Sequence, residues 1–183
     1  MAFISAAYSL ANHFHLRTPH QLPLSFLDKA VPYSPWAMPI YLSHFIFLPV
    51  VLLSLRSYPV FLRALKAMAL ASAFGCVVFV VCPTTFPRVA STGFWFSFLH
   101  LIDTPANCFP SLHVALAAIA AWALREDGRP WAPVGGAWAL AIIFSTVLVK
   151  QHYAADSAGG LLLAGAAVLL AAAPETLPAG EPA

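Results

Sequence analysis

Charge is scarce in this chain. Lys, Arg, Asp and Glu make up 9% of its 183 residues, and 61% are hydrophobic; soluble domains average about 25% charged and about 45–50% apolar. That excludes an ordinary water-soluble domain. It also excludes a disordered chain, which needs low hydrophobicity and high charge. The net charge of +2 is too small to mark a nucleic-acid partner. Cysteine is scarce as well. Cys76, Cys82 and Cys108 give neither a disulfide framework nor a paired metal-ligand spacing, and small buried thiols in apolar helices are their ordinary role. A bridge between Cys82 and Cys108 is the one pairing left open. There is no internal repeat and no heptad pattern. Residues 1–20 lack the basic start and long apolar stretch of a cleaved signal peptide, so a short amphipathic segment at a membrane interface is expected there.

What the chain does have is long apolar runs. Its mean hydropathy is +0.81. The runs cover residues 39–55, 64–82, 110–124, 131–149 and 154–173. A span needs about 20 apolar residues, so five spans use most of the chain and leave no room for a second domain. The fold class expected is all-α: a multi-pass transmembrane bundle of five to six helices. Residues 1–38 form an N-terminal interfacial segment, where Tyr33 and Trp36 suit the headgroup layer. Residues 39–173 form the membrane-embedded domain, and 174–183 a mobile tail. Pro83, Pro87 and Gly93 break the helix after the second run. The aromatic stretch 94–102 is expected along the surface.

The few charges set an orientation. Arg56, Arg63 and Lys66 lie between or near the first two runs, and Arg125 and Arg129 between the third and fourth. With five spans these loops share one face, and cytoplasmic loops carry the excess of Lys and Arg. Alternation then sends Arg88, His113, Lys150, His152 and Asp156 to the opposite, non-cytoplasmic face. Polar residues from three separate segments converge there.

Their chemistry is specific. His152 and Asp156 are four apart at a helix start and so lie on one face. A carboxylate there fixes the imidazole tautomer and frees the other nitrogen to attack. An interfacial histidine beside a solvated aspartate is the plain alternative, although an ionisable group in a span is expensive. In residues 107–113 (NCFPSLH), Pro110 suits a first helical turn. The unpaired N–H groups of such a turn make an anion site, to which Ser111 adds a hydroxyl and His113 an acid. A simple helix start, with a capping serine and a packed histidine, fits the same residues. Arg88 and Lys150 read singly as surface cations. Together with the other polar groups they read as a phosphate pocket.

Pro110-Ser111-Leu112-His113 and Ser145…His152…Asp156 resemble the second and third motifs of the type 2 phosphatidic acid phosphatase (PAP2) superfamily. The wider pattern runs from Pro83 to Arg88, through residues 109–115 (FPSLHVA), to residues 151–156 (QHYAAD). It is most similar to the inositol-phosphorylceramide-synthase-like branch. The resemblance implies roles. His152 is the nucleophile that takes the phosphoryl group, Asp156 orients it, and His113 protonates the leaving oxygen. Ser111, Arg88, Lys150 and the backbone at Leu112 hold the non-bridging oxygens. The scheme needs no metal and no cofactor. The partners implied are a lipid phosphate substrate and the bilayer of a cell membrane.

The chain departs from the family pattern. Val81 stands where the first motif often has Lys, Pro87 precedes rather than follows Arg88, Leu112 replaces a frequent Gly, and Thr146 follows Ser145 where Arg is common. Lys150 is a candidate replacement for one missing cation. Fewer cations suit a singly charged phosphodiester better than a dianionic monoester, which favours a head-group transferase over a plain phosphatase. The missing cations also leave open a catalytically inactive lipid-binding subunit. A small transporter fits less well without repeated halves. The composition argues against the soluble haloperoxidase branch that shares these motifs.

Overall fold

A computed structural model of the chain describes residues 14–87, 94–95 and 107–172. Arg88, the tail 174–183 and most of the aromatic stretch 94–102 lie outside the described residues. The elements are β1 (His20–Gln21), α1 (Phe26–Ala30), a 3-10 turn (Pro35–Ala37), α2 (Met38–Leu42), α3 (His44–Ser54), α4 (Tyr58–Val81), β2 (Thr84–Thr85), α5 (Leu112–Glu126), α6 (Ala132–Leu148) and α7 (Ala154–Ala172). The expected all-α bundle is present. It carries one addition, the parallel pairing of β1 with β2, with His20 opposite Thr84. Two residues per strand are too few to show alternation in a sequence.

Each apolar run becomes a helical segment, with shifted ends. Helix α4 starts at Tyr58, with Ser57 at its N-cap and Pro59 in its first turn, where the fixed φ of proline fits and its missing N–H is not needed. Arg63 and Lys66 therefore lie inside the helix rather than ahead of it. The first run is broken. At Ser43 the hydroxyl donates to the Ile40 carbonyl at 2.6 Å and accepts from Trp138 Nε1 at 2.8 Å, which turns α2 into α3. Among the described residues, three segments are long and apolar enough to cross a membrane: Pro35–Ser54, Tyr58–Val81 and Ala154–Ala172. Helix α6 has 17 residues and α5 has 15. At 1.5 Å per residue they reach about 25 and 22 Å, against a hydrocarbon layer of about 30 Å.

Short α5 is the centre of the bundle and packs against α3, α4, α6 and α7. Its Val114, Ala115, Ala117, Ile119, Ala120 and Ala123 are fully buried. Small side chains let the neighbouring helices approach closely, which is how helices associate in lipid. The outward side chains are apolar too: Leu53, Phe144, Leu162 and Leu169 are exposed, as a lipid-facing surface requires. All three cysteines are free, Cys82 exposed and Cys108 buried, so the bridge left open by the sequence is not made.

The two ends of α5 differ. At its C-terminal end the Asp127 carboxylate accepts from the backbone N–H of Arg56 at 2.9 Å and of Ser57 at 2.8 Å, and Arg63 pairs with Glu126 at 3.3 Å. The two basic loops thus meet at one end, as the charge pattern implied. The N-terminal end, where Ser111 and His113 stand, is about 20 Å away. There Gly160 of α7 lies against the chain. A Cβ at Gly160 would sit 2.5 Å from the Ser111 carbonyl oxygen, whereas one at Gly136 meets nothing within 4 Å. Gly160→Ala should destabilise the protein in detergent by about 1–3 kcal/mol through overpacking. Gly136→Ala should be neutral or gain up to about 1 kcal/mol in helix propensity. Thermal unfolding of both variants checks this, and equal midpoints would contradict the packing described.

Candidate active site

Two loops build the site, and Thr84 and Thr85 of β2 hold both. The Thr84 carbonyl accepts from Cys108 N at 3.2 Å, its hydroxyl accepts from Phe109 N at 2.8 Å, and Asn107 bridges to it. The Thr85 carbonyl accepts from the Tyr153 hydroxyl at 3.1 Å. Ser111 is the N-cap of α5: its hydroxyl accepts from Val114 N at 3.4 Å and its own N–H donates to the Asp156 carbonyl at 3.0 Å. The starts of α5 and α7 are therefore joined directly, backbone to backbone.

The second loop turns back on α6. The N–H groups of Gln151 and His152 both donate to the Thr146 carbonyl, at 3.2 and 3.3 Å. Lys150 takes the left-handed conformation, φ 54°, which is unfavourable for a residue with a Cβ. Asp156 closes the turn, its Oδ2 accepting from Tyr153 N at 2.8 Å. Thr146, which occupies the position where arginine was common in the resembling family, is wholly buried and bonded to Ile143 O and Ser157 Oγ.

His152 is buried with one nitrogen committed. Its Nδ1 lies 3.0 Å from the Cys108 carbonyl oxygen and 3.4 Å from Asp156 Oδ2. A carbonyl oxygen only accepts, so Nδ1 must carry the proton; that assignment follows from the partners. In the neutral ring Nε2 then bears the lone pair. Asp156 is fully buried, and its second oxygen, Oδ1, has no hydrogen-bond partner among the described residues.

His113 faces this pair from α5. Its ring centroid is 6.0 Å from that of His152, close enough for both rings to touch one phosphoryl group. It stacks on Tyr41 at 4.5 Å, with the phenol oxygen 3.4 Å from its Nδ1. His44, in the first span, lies 4.7 Å away, and Phe45 stands edge-on at 6.0 Å.

Four of the expected residues thus meet: His152, His113, Asp156 and Ser111. Leu112 does not join them through its side chain. Successive helical residues point about 100° apart, so Leu112 turns away from His113 into the packing beside Phe79 and against Gly75. Only its N–H, in the first turn, faces the task expected of it. Lys150 is expected among the phosphate ligands, yet its ammonium donates to the carbonyls of Asp28 and Val31, at 2.7 and 2.6 Å. Arg88 lies outside the described residues.

Asp28 joins these residues from the N-terminal segment. Its Oδ1 accepts from Ala154 N at 2.7 Å, and its Oδ2 from the N–H and hydroxyl of Ser25 at 2.8 and 2.6 Å. The acid that caps α1 therefore also caps the start of α7, two residues beyond His152. Ser25-Phe-Leu-Asp28 has the capping-box pattern, which was the available signal. For His44 the signal was an ionisable group inside an apolar run. Burial alone would raise the Asp28 pKa. The bonds from Ser25 and Ala154, with Lys150 nearby, outweigh that and hold it below the ordinary 3.8.

Two outcomes follow for this clasp. Asp28→Ala should cost about 0.5–2 kcal/mol, the range for a lost N-cap, and should lower turnover; Asp28→Asn, which keeps an acceptor for Ala154, should retain more of both. Because the folded pKa is depressed, the charge contributes full stability above the unfolded value. That contribution is lost as pH falls through the folded value. Limited proteolysis should then release the N-terminal segment only below about pH 3.8, with Asp28→Asn lacking that acid step. Identical pH profiles would show that Asp28 is not the clasp.

A family model described as the PAP2 superfamily matches residues 9–170. No curated protein matches the chain. The match takes in both histidine motifs, and the fold brings those motifs to one end of an apolar bundle. The chain is a membrane protein that belongs to the PAP2 superfamily, with phosphatase-type chemistry as its general class.

Proposed function

We propose that the protein transfers phosphoryl groups from lipid phosphates through a phosphohistidine on His152. The observation that carries this is the 3.0 Å contact of His152 Nδ1 with the Cys108 carbonyl, beside Asp156. It leaves the lone pair on Nε2, with the ring of His113 centred 6.0 Å away. Nε2 attacks phosphorus, the phosphorus–oxygen bond to the leaving group breaks, and a proton from protonated His113 goes to that oxygen. As His152 takes up positive charge, Asp156 stabilises it. In this reading the Ser111 hydroxyl and the first-turn N–H groups of α5 hold the non-bridging oxygens. Water or an alcohol then gives its proton to His113, attacks phosphorus and breaks the nitrogen–phosphorus bond.

The acceptor separates a phosphatase from a head-group transferase of the inositol-phosphorylceramide-synthase type. Two features favour the transferase. Thr146 supplies no cation, and the Lys150 ammonium is held by carbonyls, so among the described residues neither position adds positive charge at the phosphate, which suits a singly charged phosphodiester. We place the site on the non-cytoplasmic face of a cell membrane, because the basic loops gather at the opposite end.

Purified protein supplied with labelled phosphatidate, isoprenyl diphosphate, or phosphatidylinositol plus a lipid alcohol tests the acceptor. A transfer product in the last mixture supports the transferase; hydrolysis products alone in every mixture, free phosphate from the first two and inositol phosphate from the last, refute it. His152→Gln should abolish turnover and the acid-labile phosphoprotein, and normal turnover in that variant would end the proposal. His113→Ala should lose about 10²–10⁴-fold with alkyl leaving groups and far less with an acidic aryl leaving group. Equal loss on both would remove the acid role.

A further inference from the structure

No metal-ligand spacing is visible along the chain, yet among the described residues the fold assembles one set of donors. A Cys108 sulfur, a His152 ring nitrogen and an Asp156 carboxylate oxygen all lie within 4.8 Å of one another, and all three residues are buried. The carboxylate oxygen Oδ1 of Asp156 has no hydrogen-bond partner among the described residues. A buried polar atom left unsatisfied costs about 1–3 kcal/mol, more when charged, so the site has an unmet demand for positive charge. Thiolate, imidazole and carboxylate together suit a soft or borderline divalent ion and not magnesium or calcium. Three such ligands with a fourth position open is the pattern of an accessible zinc site. Atoms at this spacing leave a centre roughly half an ångström too far for zinc bonds of about 2.0–2.3 Å. Binding therefore requires the Cys108 sulfur, which now contacts the Gln151 carbonyl at 3.7 Å, to move toward the other two ligands.

We propose that Cys108, His152 and Asp156 form an inhibitory site for zinc or cadmium. The ion binds the Cys108 sulfur, releasing the thiol proton to solvent. It also takes His152 Nδ1, so the ring proton now resides on Nε2 and the ring stays neutral. The Asp156 carboxylate completes the set. The ion's two charges are balanced by one thiolate and one carboxylate. Nε2 now bears a hydrogen in place of its lone pair and cannot attack phosphorus. The inhibitory half rests on His152 being the nucleophile; the metal site itself does not.

The test uses purified protein in detergent carrying Cys76→Ser and Cys82→Ser, which leaves Cys108 as the one thiol. Cadmium titration should produce a thiolate-to-cadmium ultraviolet band that saturates at one ion per chain. His152→Gln and Asp156→Asn should each raise the cadmium concentration needed at least tenfold, with unchanged elution on size exclusion as the check on folding. Absence of the band, a band indifferent to both substitutions, or equal occupation by magnesium overturns the site. Zinc should suppress turnover without relief by added substrate, and a chelator should restore it; a full band with undiminished turnover overturns the inhibition. Because the band is read without substrate, failure of the catalytic proposal and failure of the metal site are told apart.

Discussion

One proton on one nitrogen organises this end of the molecule. A neutral imidazole has a single N–H, and the Cys108 carbonyl can only accept it, so the lone pair of His152 is fixed on the nitrogen that points away. Everything around the ring serves that contact. β2 holds the Cys108 loop by both its backbone and a hydroxyl, Thr146 anchors the loop that carries His152, and the Ser111 N–H ties the start of α5 to the Asp156 carbonyl. A carbonyl and a carboxylate on the same nitrogen divide the work. The first sets the tautomer in the resting ring, and the second balances the charge that appears when the ring reacts.

The bundle explains how such a polar constellation survives in an apolar chain. Helix α5 is too short to cross a full hydrocarbon layer, so its N-terminal turn ends among other backbone and side-chain groups rather than in lipid. Alanine on its faces and glycine on α7 bring the helices close enough for backbone-to-backbone bonds. In a membrane interior, a backbone group without a partner costs several kcal/mol. Close approach therefore does more than pack the core: it supplies the partners that the helix starts lack.

The clasp made by Asp28 and Lys150 links the N-terminal segment to the chemistry. Asp28 caps its own short helix and the start of α7 together, and Lys150 returns to the carbonyls of Asp28 and Val31 from a left-handed turn. The lysine reads as a phosphate ligand when only its distance along the chain from His152 is considered. Its reach across the fold decides otherwise, because two carbonyls at the end of α1 lie within hydrogen-bonding distance and hold the ammonium.

Composition and periodicity were enough to determine an apolar helical bundle, the number of its runs, and the gathering of basic loops at one end. These depend on local hydrophobicity and on the alternation of spans, which the order of residues encodes directly. The histidines and the aspartate were legible for the same reason: ionisable groups at helix starts in an otherwise apolar chain carry their own signal. The distant partners of Asp28, Tyr41, His44 and Thr84 were not, since each acts on a residue more than 20 positions away that nothing in its own neighbourhood names. The direction of Leu112, the occupation of Lys150 and the meeting of Cys108 with His152 and Asp156 belong to the tertiary structure. They are set by which surfaces approach within bonding distance, a property of helices packed together and of no single stretch of chain.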